Sequence, residues 1–103
     1  MRMKRTKIVA TLGPASSSEE MIKKMYQNGL DVCRLNFSHG DYDVHLQNIQ
    51  TIRKVNKDLN ANIAILADLQ GPKLRVGVME NDGVEVNVGD RIIFTTNKCV
   101  GTK

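Results

Sequence analysis

Three short strings hold most of the side chains in this sequence that could do chemistry: TLGP (11–14), RLNFSHG (34–40) and ADLQGPKLR (67–75). In the middle string Arg34, Asn36 and Ser38 alternate, which on an extended segment turns all three to one face. A guanidinium, an amide and a hydroxyl side by side suit an anion with a cation nearby. The Arg fork grips paired oxygens, and the amide and hydroxyl oxygens are hard donors. In the third string an apolar run stops at Asp68, turns through Gly71-Pro72 and leaves with Lys73 and Arg75. Such a string is either a surface turn or the rim of a site for a phosphate and a metal ion. Singly, each residue has a plainer role. Arg34 could pair with a carboxylate across a sheet, Asn36 and Ser38 could start a loop, His39 could be a solvated loop residue, and Asp68 could cap a turn. The joint placement carries the functional reading. Neither the phosphate-loop pattern nor the Gly-x-Gly-x-x-Gly dinucleotide fingerprint is present.

The elements that would position these residues follow from periodicity. KIVATLG (7–13) is β-branched and apolar and reads as a strand. Ser17 and Glu20 have capping-box spacing ahead of a helix whose Met21, Ile22, Met25 and Tyr26 recur on one side, with Gly29 as its left-handed stop. LDVCRLNF (30–37) is a second strand. Asp41 or Asp43 caps a second helix running to about residue 57, with an apolar stripe of Leu46, Ile49, Ile52 and Val55, and with His45 on an exposed turn. Residues 60–62 turn the chain. Residues 63–67 are continuously apolar, as in a parallel strand covered on both faces. Right-handed crossovers make the three strands neighbours in one parallel sheet, whose ligand sites lie at the strands' carboxyl ends. That rule gathers Thr11, Gly13, Pro14, Arg34, Asn36, Ser38, His39, Asp68, Lys73 and Arg75 on one rim.

The pattern changes at Val76. Val84, Val86 and Val88 alternate with polar residues, 81–83 and Gly89-Asp90 are turn signals, and RIIFTT (91–96) reads as a further strand. A β-rich module opens here and does not close within the 103 residues, a length suited to at most one ordinary domain. The formal charge of +4 arises from Arg2, Lys4, Arg5 and Lys7, and from Ile8 onward acids and bases balance. The pI of about 9.3 therefore marks a basic start rather than a basic face. With two Phe and two Tyr, stacking on nucleic acid has little support. No run approaches the roughly 20 apolar residues of a membrane span, and the start is too polar for a secretory leader. Cys33 and Cys99 form no CxxC pair. Cys33 reads as a small buried hydrophobe, and a reducing, cytoplasmic setting fits best.

The three strings TKIVATLGPAS, RLNFSHGD and ADLQGPKLR, in this order and spacing, closely resemble the N-terminal segment of the pyruvate kinase family, from Thr6 to about Thr96. The resemblance implies an α/β fold: the first three βα-type units of a (β/α)8 TIM barrel in residues 1–75, then the opening strands of a small β-barrel insertion domain in 76–103. The chain would then be a fragment of a longer, commonly homotetrameric enzyme. The implied activity of the intact enzyme is glycolytic phosphoryl transfer from phosphoenolpyruvate to ADP, giving pyruvate and ATP. Arg34 would contact the substrate phosphoryl group. Asn36, His39 and Arg75 would lie at the nucleotide. Asn36, Ser38, Asp68 and the main-chain carbonyl of Leu69 would hold K⁺. The catalytic lysine and the Mg²⁺ carboxylates would lie beyond Lys103, so the chain alone is expected to be inactive, with apolar edges prone to self-association. Many relatives carry Glu after Gly-Pro, with Thr and Lys in place of Leu69 and Gln70, and need K⁺. This chain resembles a second branch, with Leu69, Gln70 and Lys73, in which the lysine ammonium would replace the potassium function. The alternatives are another phosphate-binding barrel enzyme, such as an aldolase-like lyase acting on phosphoenolpyruvate or pyruvate, and a non-catalytic binding fragment.

Overall fold

The computed structural model describes residues 4–103, so Arg2 of the basic start lies outside the described residues. Five elements follow in the expected order: β1 (Val9–Thr11), α1 (Glu19–Gln27), β2 (Val32–Asn36), α2 (Tyr42–Leu59) and β3 (Ala64–Asp68). The strands make one parallel sheet in the order β1-β2-β3, with Thr11 beside Arg34, Arg34 beside Leu66 and Asn36 beside Asp68. The fold is α/β. The chain divides after Gly71 into two compact units, the second running from Pro72 to Lys103.

In the first unit the alternation of β2 sorts the two sheet faces. Cys33 and Leu35 are buried and pack with Ile22 of α1 and with Ile52 and Val55 of α2, while Leu12, Leu30, Ala61 and Ile63 complete the core. Each buried Leu, Ile or Val side chain contributes roughly 1.5–3 kcal/mol when removed from water. Arg34 and Asn36 alternate with that pair and so lie on the face without helices. Cys33 is free and fully buried, and burial pushes its thiol up to about 11, in keeping with a packing role.

The helix ends explain where the strands begin. Ser16 is taken up in a turn with Gly13, whose N–H donates to its hydroxyl at 2.9 Å. Ser18, not Ser17, therefore caps α1, accepting the Met21 N–H at 3.2 Å, and Glu20 pairs with Lys24 rather than closing a capping box. At the other end the Leu30 N–H reaches the Met25 carbonyl and the Gly29 N–H the Tyr26 carbonyl, each at 2.9 Å, with Gly29 at φ 105°. This paired closure needs the left-handed residue that glycine supplies. Asp41 caps α2 through its extended backbone alone, and the helix ends two residues later than expected, at Leu59, before Asn60 in the left-handed region. Asn56 then ties α2 to the entry of β3: its amide donates to the Ile63 carbonyl at 2.9 Å and accepts the Ile63 N–H at 2.8 Å.

Several expectations are corrected. The charges that set the basic start are partly paired: Lys4 and Lys7 lie 2.6 Å and 3.5 Å from the Asp31 carboxylate. Leu46 is exposed and His45 buried, reversing their expected places. Threefold spacing drifts against the helical period of 3.6, so that residues 46 and 55 stand about 180° apart, whereas 45, 49, 52 and 59 stay in phase. β3 is not covered on both faces: Ala64 and Leu66 are exposed on the side of the sheet without helices, and Ala67, on the other side near the strand end, is exposed as well. Ser38 lies in the turn after β2, not on its extended face. In the second unit residues 91–96 and the 84–88 alternation form no strand. The described structure there is a 3₁₀ turn (Glu80–Asp82), a parallel bridge between Met79 and Gly101, and a turn at Asn87 and Asp90 with Gly89 at φ 98°. A ladder needs a partner for its N–H and C=O groups, and the exposure of Val88, Ile93 and Phe94 shows that these segments have no apolar face to pack on within the unit.

Ion pairs join the helices. Glu19 at the start of α1 accepts from Lys23 at 2.7 Å and from Lys54 of α2, and Lys23 also reaches Asp58 at 3.1 Å. Hydrogen bonds from Lys23 and Lys54 hold the Glu19 carboxyl at about 2, below its ordinary 4.5. Those from Lys4 and the Ile8 N–H hold Asp31 at about 2, below 3.8. A carboxyl whose folded value is depressed adds stability above its unfolded value and loses it as pH falls toward the folded one. The melting temperature should therefore drop between pH 4.5 and about 2, and Glu19→Gln should flatten that drop. Thermal melts across this window check it, and equal slopes for the two proteins would refute it.

Candidate functional site

The carboxyl ends of the strands collect the polar groups because each strand stops where its apolar run stops. Arg34 sits on β2 between its neighbours and bridges both. Nη1 donates to the Thr11 hydroxyl of β1 at 2.9 Å, and Nη2 donates to Asp68 Oδ2 of β3. The plain expectation of a cross-sheet ion pair is thus met, and one planar group spans all three strands on the helix-free face. Its side chain remains about one-third exposed, so the guanidinium is held without being enclosed.

Asn36 ends β2 directly beside Asp68, and the Phe37 N–H extends the ladder to the Asp68 carbonyl at 2.9 Å. The Asn36 side-chain oxygen accepts the Ser38 N–H at 3.1 Å, and its main-chain carbonyl accepts the His39 N–H at 3.2 Å. The turn that carries Ser38 and His39 is therefore built on Asn36. A cleft of about 530 Å³ opens where β1 and β2 end, lined among others by Thr11, Pro14, Asn36, His39, Gly40 and His45. Arg34, Asn36, Ser38, His39 and Asp68 are brought together in the first unit, with Leu69 following Asp68 and its side chain exposed. Lys73 and Arg75 belong to the second unit and are exposed there.

Two residues of this region carry more than their sequence positions indicate. Thr11 is the hydroxyl partner of Arg34, legible only once β1 and β2 are in register. His45 is buried, stacks on Phe37 with ring centroids 4.3 Å apart, and brings Nε2 to 2.7 Å from the His39 carbonyl. Helical phase with Ile49 and Ile52 was the available signal for it.

Asn36, Ser38, Asp68 and the Leu69 carbonyl each offer oxygen, the hard donor type that suits an alkali or alkaline-earth cation; Asn36 Oδ1 is engaged by the Ser38 N–H. Arg34 already engages the single carboxylate among them. Among the described residues, no group of three His, Cys, Asp or Glu side chains is placed to hold a metal ion. Among the described residues, no helix is long and apolar enough to cross a membrane.

Comparison with known proteins points to one family. Residues 3–103 match the family model described as pyruvate kinase, barrel domain. The chain is 48% identical over 100 residues to the pyruvate kinase of Staphylococcus aureus strain USA300, which covers 97% of this chain and 17% of that protein. The crystal structure of Cryptosporidium parvum pyruvate kinase superposes with a TM-score of 0.68 at 35% identity, over 76% of this chain and 16% of that one. A second pyruvate kinase structure from the same organism gives 0.65 at 37% identity, over 73% and 15%. The chain thus spans about 17% of the length of the curated relatives it matches.

Proposed function

The chain belongs to the pyruvate kinase family, and from that premise we propose that it forms the opening segment of an enzyme that transfers the phosphoryl group of phosphoenolpyruvate to ADP. In this reading residues 1–75 supply the first three units of a (β/α)8 barrel and 76–103 begin a β-rich lid. The intact protein is a cytoplasmic homotetramer. The observation that carries the reading is Arg34 on the open sheet face, fixed from both sides by Thr11 and Asp68 with its guanidinium still accessible.

Phosphoryl transfer moves charge among crowded oxygens and asks mainly for positioning and cationic stabilisation. Arg34 supplies both, a planar fork at a fixed angle to the transferring group. Asn36 and His39, at the cleft, take the nucleotide, and Arg75 contacts its phosphates. Asn36, Ser38, Asp68 and the Leu69 carbonyl would hold a monovalent cation. A cation bound there, and Mg²⁺ held by ligands outside this chain, would offset the repulsion between two anionic substrates. Lys73 supplies positive charge covalently and reduces the need for K⁺.

Pyruvate formation from phosphoenolpyruvate and Mg·ADP by the intact enzyme tests the proposal. Nucleotide-dependent turnover is the expected result. A folded intact protein that forms no pyruvate from this pair would overturn it, and nucleotide-independent cleavage or condensation of a pyruvate-like substrate would pass the site to the lyase reading.

A further inference from the structure

We infer that His45 is a positioning residue for the nucleotide side of this site: by donating Nε2–H to the His39 carbonyl it sets the turn that presents Asn36 and His39 to the cleft. The inference rests on the nucleotide reading of that cleft given above.

His45 is 8% exposed, lies in the first turn of α2, and lines the cleft with Asn36, His39 and Gly40. A carbonyl oxygen only accepts, so the 2.7 Å contact places the proton on Nε2. Nδ1 is buried and has no hydrogen-bond partner among the described residues. A Phe here would keep the stacking on Phe37 and bury no orphan nitrogen, which is a disfavoured state for a polar atom. What histidine adds over Phe is the Nε2–H, and that group is spent on one backbone carbonyl of the turn.

The turn is built to receive it. Gly40 sits at φ 80°, a backbone that side chains rarely adopt, and a Cβ there would stand 3.4 Å from His45 Nε2. The ring thus closes on the turn across a residue without a side chain. At its other end the same turn is tied to Asn36 through the Ser38 and His39 N–H groups. His45 and Asn36 hold the two ends, and loss of either lets His39 move. Arg34, on the helix-free face and braced by Thr11 and Asp68, does not depend on this clamp.

The test compares His45→Gln, His45→Asn and His45→Phe in the intact enzyme. A Gln amide nitrogen reaches near the place of Nε2, an Asn amide only near that of Nδ1, and Phe keeps the ring without a donor. KM for ADP should rise about tenfold in His45→Phe and His45→Asn and by less than about threefold in His45→Gln, with KM for phosphoenolpyruvate changed by less than about twofold. In the unsubstituted enzyme, ¹⁵N-resolved imidazole spectra should show Nε2 protonated, and amide exchange across 36–41 should quicken in His45→Asn but not in His45→Gln. A His45→Phe enzyme with unchanged KM for ADP, or a ring protonated on Nδ1 alone, overturns the clamp. If His45→Phe does not fold, the Gln and Asn pair decides by the same readouts. If the unsubstituted enzyme does not turn over phosphoenolpyruvate and ADP, the functional reading fails. The imidazole spectra and exchange rates then uphold or overturn the clamp without it.

Discussion

Replacing Arg34 by Lys in the intact enzyme should lower kcat/KM for phosphoenolpyruvate by about 10²–10³-fold, the range found when one preorganised donor to a developing charge is removed. The substitution keeps the positive charge, so a large loss would isolate geometry as the cause. In the structure one guanidinium uses two different nitrogens at once, Nη1 on Thr11 and Nη2 on Asp68. An ammonium on a flexible stem can hold either partner but not both at a fixed angle while presenting a third face to substrate. Arg34→Ala should lose more, because it also leaves Asp68 without its cation, and its melting point should fall where that of Arg34→Lys holds. Steady-state kinetics with parallel thermal melts make the separation. An Arg34→Lys enzyme within about threefold of the parent would show that charge alone is what the site requires.

That bracing could not be read from the sequence, although its parts could. The alternation in RLNFSHG and the apolar stop at Asp68 placed Arg34 and Asp68 at strand ends, because period-2 patterning and right-handed crossovers leave few arrangements. Which oxygen each nitrogen of Arg34 meets depends on register, and register is set by packing across the whole sheet. His45 was misplaced because a threefold apolar stripe and a 3.6-residue period agree for one turn and diverge by the third. Burial at position 45 follows the true period and puts a polar ring where a stripe of apolar residues leads one to expect an apolar side chain. The Asn56 clasp on Ile63 joins a helix end to a strand start across a left-handed turn, and no local spacing rule encodes it. The valines of 84–88 and the RIIFTT run have real strand propensity, but propensity becomes a strand only when another strand takes up its hydrogen bonds. In the first unit β2 finds two such partners. In the second a single Met79–Gly101 bridge forms instead.

Lys73→Glu should cost the intact enzyme about 100-fold of its activity in K⁺-free buffer and should create a requirement for K⁺. The argument starts from charge. Of the four oxygen donors that would hold a monovalent cation, Asp68 alone is a carboxylate, and Arg34 engages it. Such a set would offer a cation little net negative charge, and an enzyme binding two anionic substrates, as proposed, would have to find positive charge elsewhere. On the proposed reading Lys73, five residues after Asp68 in the chain, would carry it. Exchanging that lysine for glutamate changes the local charge by two units, and one unit pair 8 Å apart at an effective dielectric of 20 is worth about 2 kcal/mol. A loss on the order of 100-fold matches a change of two such pairs after partial screening. The same negative charge would favour cation binding nearby, so added KCl should restore much of the activity, while tetramethylammonium chloride at equal ionic strength should not. Lys73→Gln should fall between the two. Titrating kcat/KM against KCl for the three proteins checks the whole series. A Lys73→Glu enzyme with unchanged K⁺-free activity and no response to KCl would leave Lys73 as a solvated turn residue and return the task of charge balance to a bound ion.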